Sequence, residues 1–460
     1  MNLVYNIKDK PKFHRLLIFA FQQVLAILAA TIAVPTIIGN GMSQSAALFG
    51  AGVGTLVYQL FTRFKSPVYL GSSFAFLGSM AAAFAGAASG AVGHVGLIIG
   101  AVFAGAVYVI IAIVIKLVGV KWVDKVMPPV VIGPTVALIG LSLAGNAVGD
   151  LSTGKVMVDK VTQVIENGQI VDKVTKVSGC SPYVALICGL VTLFAVIVFS
   201  VYGKKMMKLI PFILGILVGY VVATIFTVIG IVTDNVALQI INFSVFRDMQ
   251  IVAVPDFTFL KVWEGIRQID GAYIATLAVA YIPVAFVVFA EHIADHKNLS
   301  SVIGKDLLAD PGLHNTLLGD GIGSMTGAFF GGCPNTTYGE SVGCVAITRN
   351  ASVITITTTA IMCIVISFFG PFVTFLASIP NCVMGGVCTA LYGFIAVSGL
   401  KMIQKVDLNQ GKNLFVVSVI LITGIGGLVL TFGKVTLTAI ACALILGILT
   451  NVIVSRAKSE

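Results

Sequence analysis

The chain has 460 residues, of which 58% are hydrophobic and only 10% charged, with a mean hydropathy of +1.04. A soluble protein carries roughly 25% charged residues, so the composition excludes a soluble domain and specifies a polytopic protein that forms one unit in a lipid bilayer. The net charge of +9 does not signal nucleic acid, because the basic residues sit in short loops between apolar stretches rather than on one face or tail.

Taken in order, Lys8, Lys10, Lys12 and Arg15 precede a long apolar run with no small-residue cleavage site, which predicts a retained first helix. At about 20 residues per span, fourteen candidates follow. They cover residues 15–38, 45–62, 67–84, 92–116, 126–147, 180–202, 207–232, 271–296, 314–331, 336–348, 352–377, 381–400, 412–432 and 435–455. Alternate loops hold Arg63/Lys65, Lys116/Lys121/Lys125, Lys204/Lys205/Lys208, Lys297/Lys305, Arg349, Lys401/Lys405 and Arg456/Lys458, whereas the connections near 39–46, 85–91 and 378–380 hold no Lys or Arg. This predicts a multi-pass protein of the cell (plasma) membrane with both termini cytoplasmic.

Two outer segments are more polar. Val158-Asp159-Lys160-Val161-Thr162 and Val171-Asp172-Lys173-Val174-Thr175 flank Asn167-Gly168, which predicts an external β-hairpin over 150–179. Residues 233–268, with Phe243, Phe246, Phe257 and Phe259, predict an outer interfacial segment. Cys188, Cys333, Cys344, Cys363, Cys382, Cys388 and Cys442 lack metal-ligand spacing and read as small buried hydrophobes, so neither a metal nor a cofactor is called for.

The third and tenth spans are unlike the others. Each opens on a polar stretch unsuited to continuous helix, Tyr69-Leu70-Gly71-Ser72-Ser73-Phe74 and Cys333-Pro334-Asn335-Thr336-Thr337-Tyr338-Gly339-Glu340. Irregular backbone survives in a bilayer only where protein or a watery cavity satisfies its amides, and interrupted segments in corresponding places point to a transport site. Broken spans present helix N-termini at mid-membrane depth, which makes the backbone amides at Phe74 and Gly339 candidate ligands for carbonyl oxygens or anions. Glu340 follows Gly339 directly; a carboxylate acceptor beside an N–H donor suits a ring of alternating N–H and C=O groups, such as a nucleobase, although a first-turn acid is also sound helix chemistry.

Glu291 lies in Phe289-Ala290-Glu291-His292-Ile293-Ala294-Asp295-His296. An intramembrane carboxylate costs roughly 2.5–3.5 kcal/mol on insertion scales, so Glu291 reads as functional. Asp295, four residues on, shares its helical face, and two acids so placed suit the loading and unloading of a proton. His296 and Lys297 read as solvated interfacial residues, and His314, Asp320 and Arg349 fall near predicted span ends. Tyr392 either lines a cavity or packs.

Internal symmetry is weak. A shift of 253 positions superposes Val130, Gly133, Ala137, Leu138 and Gly140 on Val383, Gly386, Ala390, Leu391 and Gly393, consistent with two seven-span halves of opposite orientation.

Through nearly its whole length the chain resembles the nucleobase–ascorbate transporter family, in particular its bacterial uracil permeases. The most specific segments are Tyr69 to Phe76, Ala290 to Ile293, Lys305 to His314 and Pro334 to Glu340, followed by Gly343 and Thr348-Arg349. The resemblance implies an all-α fold of seven plus seven inverted spans, with short strands opening spans 3 and 10. It implies a core domain over 13–118 and 271–378 and a gate domain over 122–232 and 380–456. It further implies that Glu291 and Glu340 hold a pyrimidine, that backbone at Phe74 and Gly339 meets its oxygens, and that Ala30, Tyr338 and Tyr392 line the pocket. Three positions depart from the pattern: Asp295 where uracil permeases often have histidine, as in xanthine-type members; Gln23 where many have histidine; and Ser341 where asparagine is usual.

The function expected is import of a nucleobase, uracil first and xanthine or another oxopurine second, by proton symport with alternating access. An anion transporter of the same fold fits less well, because carboxylates repel an anion that bare helix ends would attract. An enzyme would need a nucleophile–base or metal constellation, and none is evident. A passive channel would differ in failing to accumulate substrate, and a homodimer through the glycine-rich gate spans is a further expectation.

Overall fold

The computed structural model describes residues 3–119, 121–166, 169–204, 206–247, 249–432 and 435–455. It is mostly helical, and local chemistry sets the helix ends. α1 (Phe13–Ile38) stops at Gly39, whose φ is 63°. α2 (Gln44–Phe61) starts at Ser43, whose hydroxyl accepts from the Ala46 amide at 3.2 Å. β1 (Leu70–Ser72) leads through a tight turn at Phe74–Phe76 into α3 (Leu77–Ala85). α4 (Gly90–Val118) is capped by Ser89. α5 (Pro129–Ser142), strands β2 (Met157–Glu166) and β3 (Gln169–Ser178), α6 (Pro182–Tyr202) and α7 (Pro211–Val232) follow, the last two with proline at the first helical position.

α8 (Gly271–Ile303) is capped by Asp270, which accepts from the Tyr273 amide at 2.6 Å, and ends at Gly304 in the left-handed region. Then come α9 (Leu313–Gly331), β4 (Asn335–Thr337), α10 (Gly339–Thr348), α11 (Val353–Ile366), α12 (Asn381–Ile403), α13 (Gly411–Ile425), β5 (Leu430–Phe432), β6 (Val435–Leu437) and α14 (Ala439–Ser455). Among the described residues seven helical stretches are long and apolar enough to cross a membrane, and four more apolar helices are shorter. The protein is therefore a multi-pass membrane protein.

Packing divides the chain into two compact units, one of Met1–Ser142, Val252–Phe369 and Tyr392–Glu460, the other of Leu143–Ile251 and Gly370–Leu391. In the second unit α6 and α7 pack through small residues, with Gly215 against Val196 and Gly219 against Thr192. Its strands β2 and β3 pair antiparallel from Met157↔Ser178 to Glu166↔Gln169. The expected turn at Asn167-Gly168 lies outside the described residues, as do Lys205, Arg456 and Lys458.

In the first unit α9 packs against both α2 and α4. Glycines allow the approach: Gly50 faces Gly327, Gly54 faces Gly323, and Gly105 faces Gly321. The slot between Gly54 and Gly327 is filled by the side chain of Asn335, which donates to the Gly50 carbonyl at 3.1 Å and so anchors β4 to α2. Phe257 and Phe259, expected in an interfacial segment, turn inward; they stack on each other at 5.6 Å and pack on Phe49 of α2 and Phe330 of α9.

The N-terminal segment is tied to the far end of α10. The Val4 amide donates to the Arg349 carbonyl at 2.8 Å, and the Ala351 and Val353 amides donate back to Tyr5 and Ile7 at 2.9 and 3.0 Å. Leu3 and Ile7 pack on a buried apolar cluster of Tyr58, Val68, Leu70, Leu299, Val342 and Val345.

Between α8 and α9, Asp310 accepts from Lys65 at 2.7 Å and from Lys305 at 2.9 Å. These two ammonium groups, Lys65 foremost, hold its carboxyl down at about 2. A depressed folded value means that the link is complete above the ordinary aspartate range near ~3.9 and is lost as pH falls through about 2.

Two outcomes are expected. Asp310→Asn should lower the thermal unfolding temperature in detergent by the same amount near pH 5.5 and near pH 8, since the link is constant between about pH 5 and 8; a loss confined to one of those values would refute the assignment. Gly327→Ala places a Cβ on the Asn335 side chain and should cost about 1–3 kcal/mol, the range for overpacking. Gly343→Ala, which meets nothing within 4 Å, is the control, and equal unfolding temperatures for the two variants would contradict the slot.

Candidate functional site

The site is built where two pieces of non-helical backbone complete each other. β1 and β4 pair antiparallel as Leu70↔Thr337, Gly71↔Thr336 and Ser72↔Asn335. The Ser73 amide donates to the Pro334 carbonyl at 2.9 Å and the Tyr338 amide to the Tyr69 carbonyl at 3.1 Å, extending the ladder at both ends. Thr55 of α2 closes it, its hydroxyl accepting from the Leu70 amide at 2.9 Å. Buried backbone that left helical geometry is thus satisfied by protein.

Each strand delivers the chain to a helix start. Neither Ser73 nor Tyr338 caps the turn that follows it with its side chain, so the first-turn N–H groups and the positive end of α10 face the space ahead of Gly339. Gly339 is exposed although the run Pro334 to Tyr338 before it is buried. Tyr338 lies across β1: its hydroxyl donates to the Ser72 carbonyl at 2.8 Å, and any Cβ on Gly71 would collide with its ring.

α8 supplies the acids. Glu291 and Asp295, one turn apart and half-buried, stand within electrostatic range of Glu340 on α10 and Asp320 on α9. Asp295 accepts from the Thr337 hydroxyl at 2.8 Å, and its other oxygen is 3.8 Å from the position a Cβ on Gly339 would take. Phe74 meets Tyr392 edge to face, with ring centroids 5.4 Å apart. Ala30 is buried in α1, which packs on β1 and α10.

Tyr338, Gly339, Glu340, Glu291 and Asp295 therefore gather around the start of α10, and Phe74 and Tyr392 form a separate aromatic pair. Gln23 of α1 donates to the Ser341 hydroxyl, so two of the positions that depart from the family pattern are bonded to each other.

The adjacent face of the same α8 turn corrects the sequence reading. His296 is fully buried rather than solvated; its Nδ1 is 2.8 Å from the His292 carbonyl and its Nε2 2.8 Å from the Tyr58 hydroxyl. A carbonyl only accepts, which assigns a proton to Nδ1, while the Tyr58 hydroxyl that meets Nε2 also donates to Ser66 at 2.7 Å. Asp320 is not interfacial either: fully buried within α9, it lies 2.7 Å from His292 Nδ1, while His292 Nε2 is 2.9 Å from Thr316. The polar residues after Asp295 suggested that the helix stops near 296, but α8 continues to Ile303 and buries Leu299. Thr337, His292, Asp320 and Tyr58 were missed as site residues. The i, i+4 histidine pair was the one available signal, and it named no partner.

Residues 14–433 match a family model, Xan_ur_permease, described as Permease family. The chain is 37% identical over 453 residues to the uracil permease of Bacillus caldolyticus, covering 98% of this chain and 94% of that protein. It is 34% identical to the uracil permease of Bacillus subtilis (strain 168) over 99% of this chain and 96% of that one, and 32% identical to the uracil permease of Escherichia coli (strain K12) over 96% and 92%. The fold is shared with the transmembrane domain of the cyanobacterial bicarbonate transporter BicA, with a TM-score of 0.60 and 15% identity over 98% of this chain and 100% of that one. It is shared also with the murine anion transporter Slc26a9 in its inward-facing state, with a TM-score of 0.61 and 12% identity over 97% and 69%. At that identity the likeness to solved structures concerns fold alone. The curated relatives are permeases, not enzymes.

The contact between Gly71 and Tyr338 is testable by a double-mutant cycle. Gly71→Ala should destabilise the protein by about 1–3 kcal/mol and should cost far less in a Tyr338→Ala background, read by thermal unfolding. Equal costs in both backgrounds would show that the ring does not lie on Gly71.

Proposed function

This chain belongs to the Permease family, and from that premise we propose that it is a secondary active transporter that imports a nucleobase, uracil first, together with a proton. One observation carries the reading: carboxylates on α8 and α10 converge at the uncapped start of α10, beside strands that hold that start in place. Ring N–H groups of a pyrimidine would donate to Glu291 and Glu340, and its carbonyl oxygens would accept from backbone amides at Phe74 and Gly339. Tyr338, Tyr392 and Ala30 would shape the pocket. A site built this way would reject analogues lacking the ring N–H groups by up to ~10⁴-fold, because buried carboxylates would be left unpaired.

Uracil is neutral near pH 7, so a membrane potential alone cannot drive its uptake, whereas a proton carried on Glu291 or Asp295 can. A protonated carboxyl donates as well as accepts, which links base binding to proton binding. Asp295 within the acidic group is the feature that favours the second reading, xanthine or another oxopurine. The carboxylates speak against an anion substrate even though the neighbouring folds carry anions.

The transport cycle we propose alternates access by moving a core (13–118 and 271–378) against a gate (122–232 and 380–456), with fourteen spans as two inverted halves and both termini cytoplasmic. In this proposal Phe74 would belong to the core and Tyr392, which it meets edge to face, to the gate. A homodimer through the gate is part of the same proposal.

The test is uptake of radiolabelled uracil by cells expressing the protein, near pH 5.5 and near pH 8, with and without a protonophore and with xanthine as competitor. Expected are uptake that collapses with the protonophore, little competition by xanthine, and a loss of about 10- to 100-fold in Glu291→Gln, the scale of removing a charged hydrogen-bond partner. Uptake indifferent to protonophore and pH sinks the proton claim; xanthine uptake without uracil uptake moves the protein to the purine reading.

A further inference from the structure

Thr337 is used by none of the steps above, yet its side chain hydrogen-bonds β4 to α8 beside the proposed substrate position. Its hydroxyl donates to Asp295 Oδ2 at 2.8 Å, while its main chain opposes Leu70 in the strand pair. Asp295 Oδ1, on the other side of the same carboxylate, stands 3.8 Å from where a Cβ on Gly339 would lie. The carboxylate thus spans the junction at which β4 becomes α10, with one oxygen on the strand and the other beside the first helical residue. Both attractions depend on its charge. An ionised carboxylate only accepts, a charge-assisted hydrogen bond is roughly twice as strong as a neutral one, and a helix start attracts negative charge over its first turn.

Among the described residues, the groups within electrostatic range of Asp295 are acidic or neutral: Glu291 on its own helix, Glu340 on α10, Asp320 on α9 and Tyr108 on α4. α3, α5, β6 and α14, which also pack on α8, contain no Asp, Glu, His, Lys or Arg.

We infer that Thr337 is a positioning residue through which the protonation of Asp295 reaches the substrate-binding half-helix. Ionised, Asp295 latches β4 and the first turn of α10 to α8. A proton from solution, added to one carboxylate oxygen, removes the charge, turns that oxygen into a donor and frees the helix start to receive a substrate carbonyl. Carboxylate and carbonyl then compete for one helix end, so that proton and base bind together. This inference rests on the proton-coupled nucleobase reading above.

The experiment is the KM for uracil in proteoliposomes between about pH 6 and pH 8, where a single coupled proton can raise KM by up to tenfold per pH unit. Wild type should show that rise. Thr337→Val, which keeps shape but not the donor, should change by less than about twofold across the same range, and Thr337→Ser should restore the wild-type slope. A wild-type slope in Thr337→Val, or failure of Thr337→Ser to restore it, overturns the inference while leaving the transport reading intact. Should Thr337→Val not fold, Asp295→Asn carries the test: a flat profile supports the latch and a wild-type slope overturns it. A flat profile in wild type itself removes the proton-coupled reading and the latch together.

Discussion

Everything at the site depends on the antiparallel pairing of two three-residue strands, Leu70–Ser72 with Asn335–Thr337. Within a bilayer an unpaired amide costs several kcal/mol, and helices normally avoid the problem by bonding within themselves. Here two segments give up helical bonds and recover them from each other, with Thr55 supplying one more acceptor. What is gained is placement: helix starts, which in a continuous span would be hidden at the membrane surface, are brought inside the protein. The glycines of α2 and α9 serve the same end, since the slot they leave is where Asn335 is anchored.

α8 is the second organising element, and its two faces do different work. Glu291 and Asp295 look toward the start of α10; His292 and His296, one residue further round, bind Asp320, Thr316 and Tyr58. The histidine face joins α8 to α9 and α2 and so fixes the rotation of the helix. That rotation decides where the acids point. A turn with only the acids would be free to roll; one with only the histidines would have no chemistry.

Much of this was legible in the sequence because the bilayer makes exceptions conspicuous. Pro334, Gly71 and Gly339 in polar runs announce broken helix, and Glu291 and Glu340 are conspicuous among apolar neighbours. Periodicity places Asp295 on the face of Glu291. Partners across space were not legible: nothing in the run around His292 names Asp320, and nothing in Pro334-Asn335-Thr336-Thr337 says that the second threonine reaches Asp295. His296 was misread because hydropathy falls after Asp295, whereas the helix continues for two further turns with its apolar side inward. Gln23 and Ser341 looked like separate oddities in sequence and prove to be two ends of one contact.

The strand pair also bears on how the protein is made. Leu70 emerges from the ribosome long before its partner Thr337, more than half the chain later. Until then the edge of β1 has no mate, and the segment that follows it, Phe74 to Ala85, is too short to cross a membrane by itself. The N-terminal residues wait longer still, since their mates at Arg349 to Val353 follow α10. Biogenesis of the first unit is thus a late, concerted closure in which early segments remain uncommitted until distant ones arrive, the regime of high contact order. A nascent chain arrested before β4 should be a substrate for membrane chaperones and quality-control proteases, and the same open edge that later binds β4 is what they would have to protect.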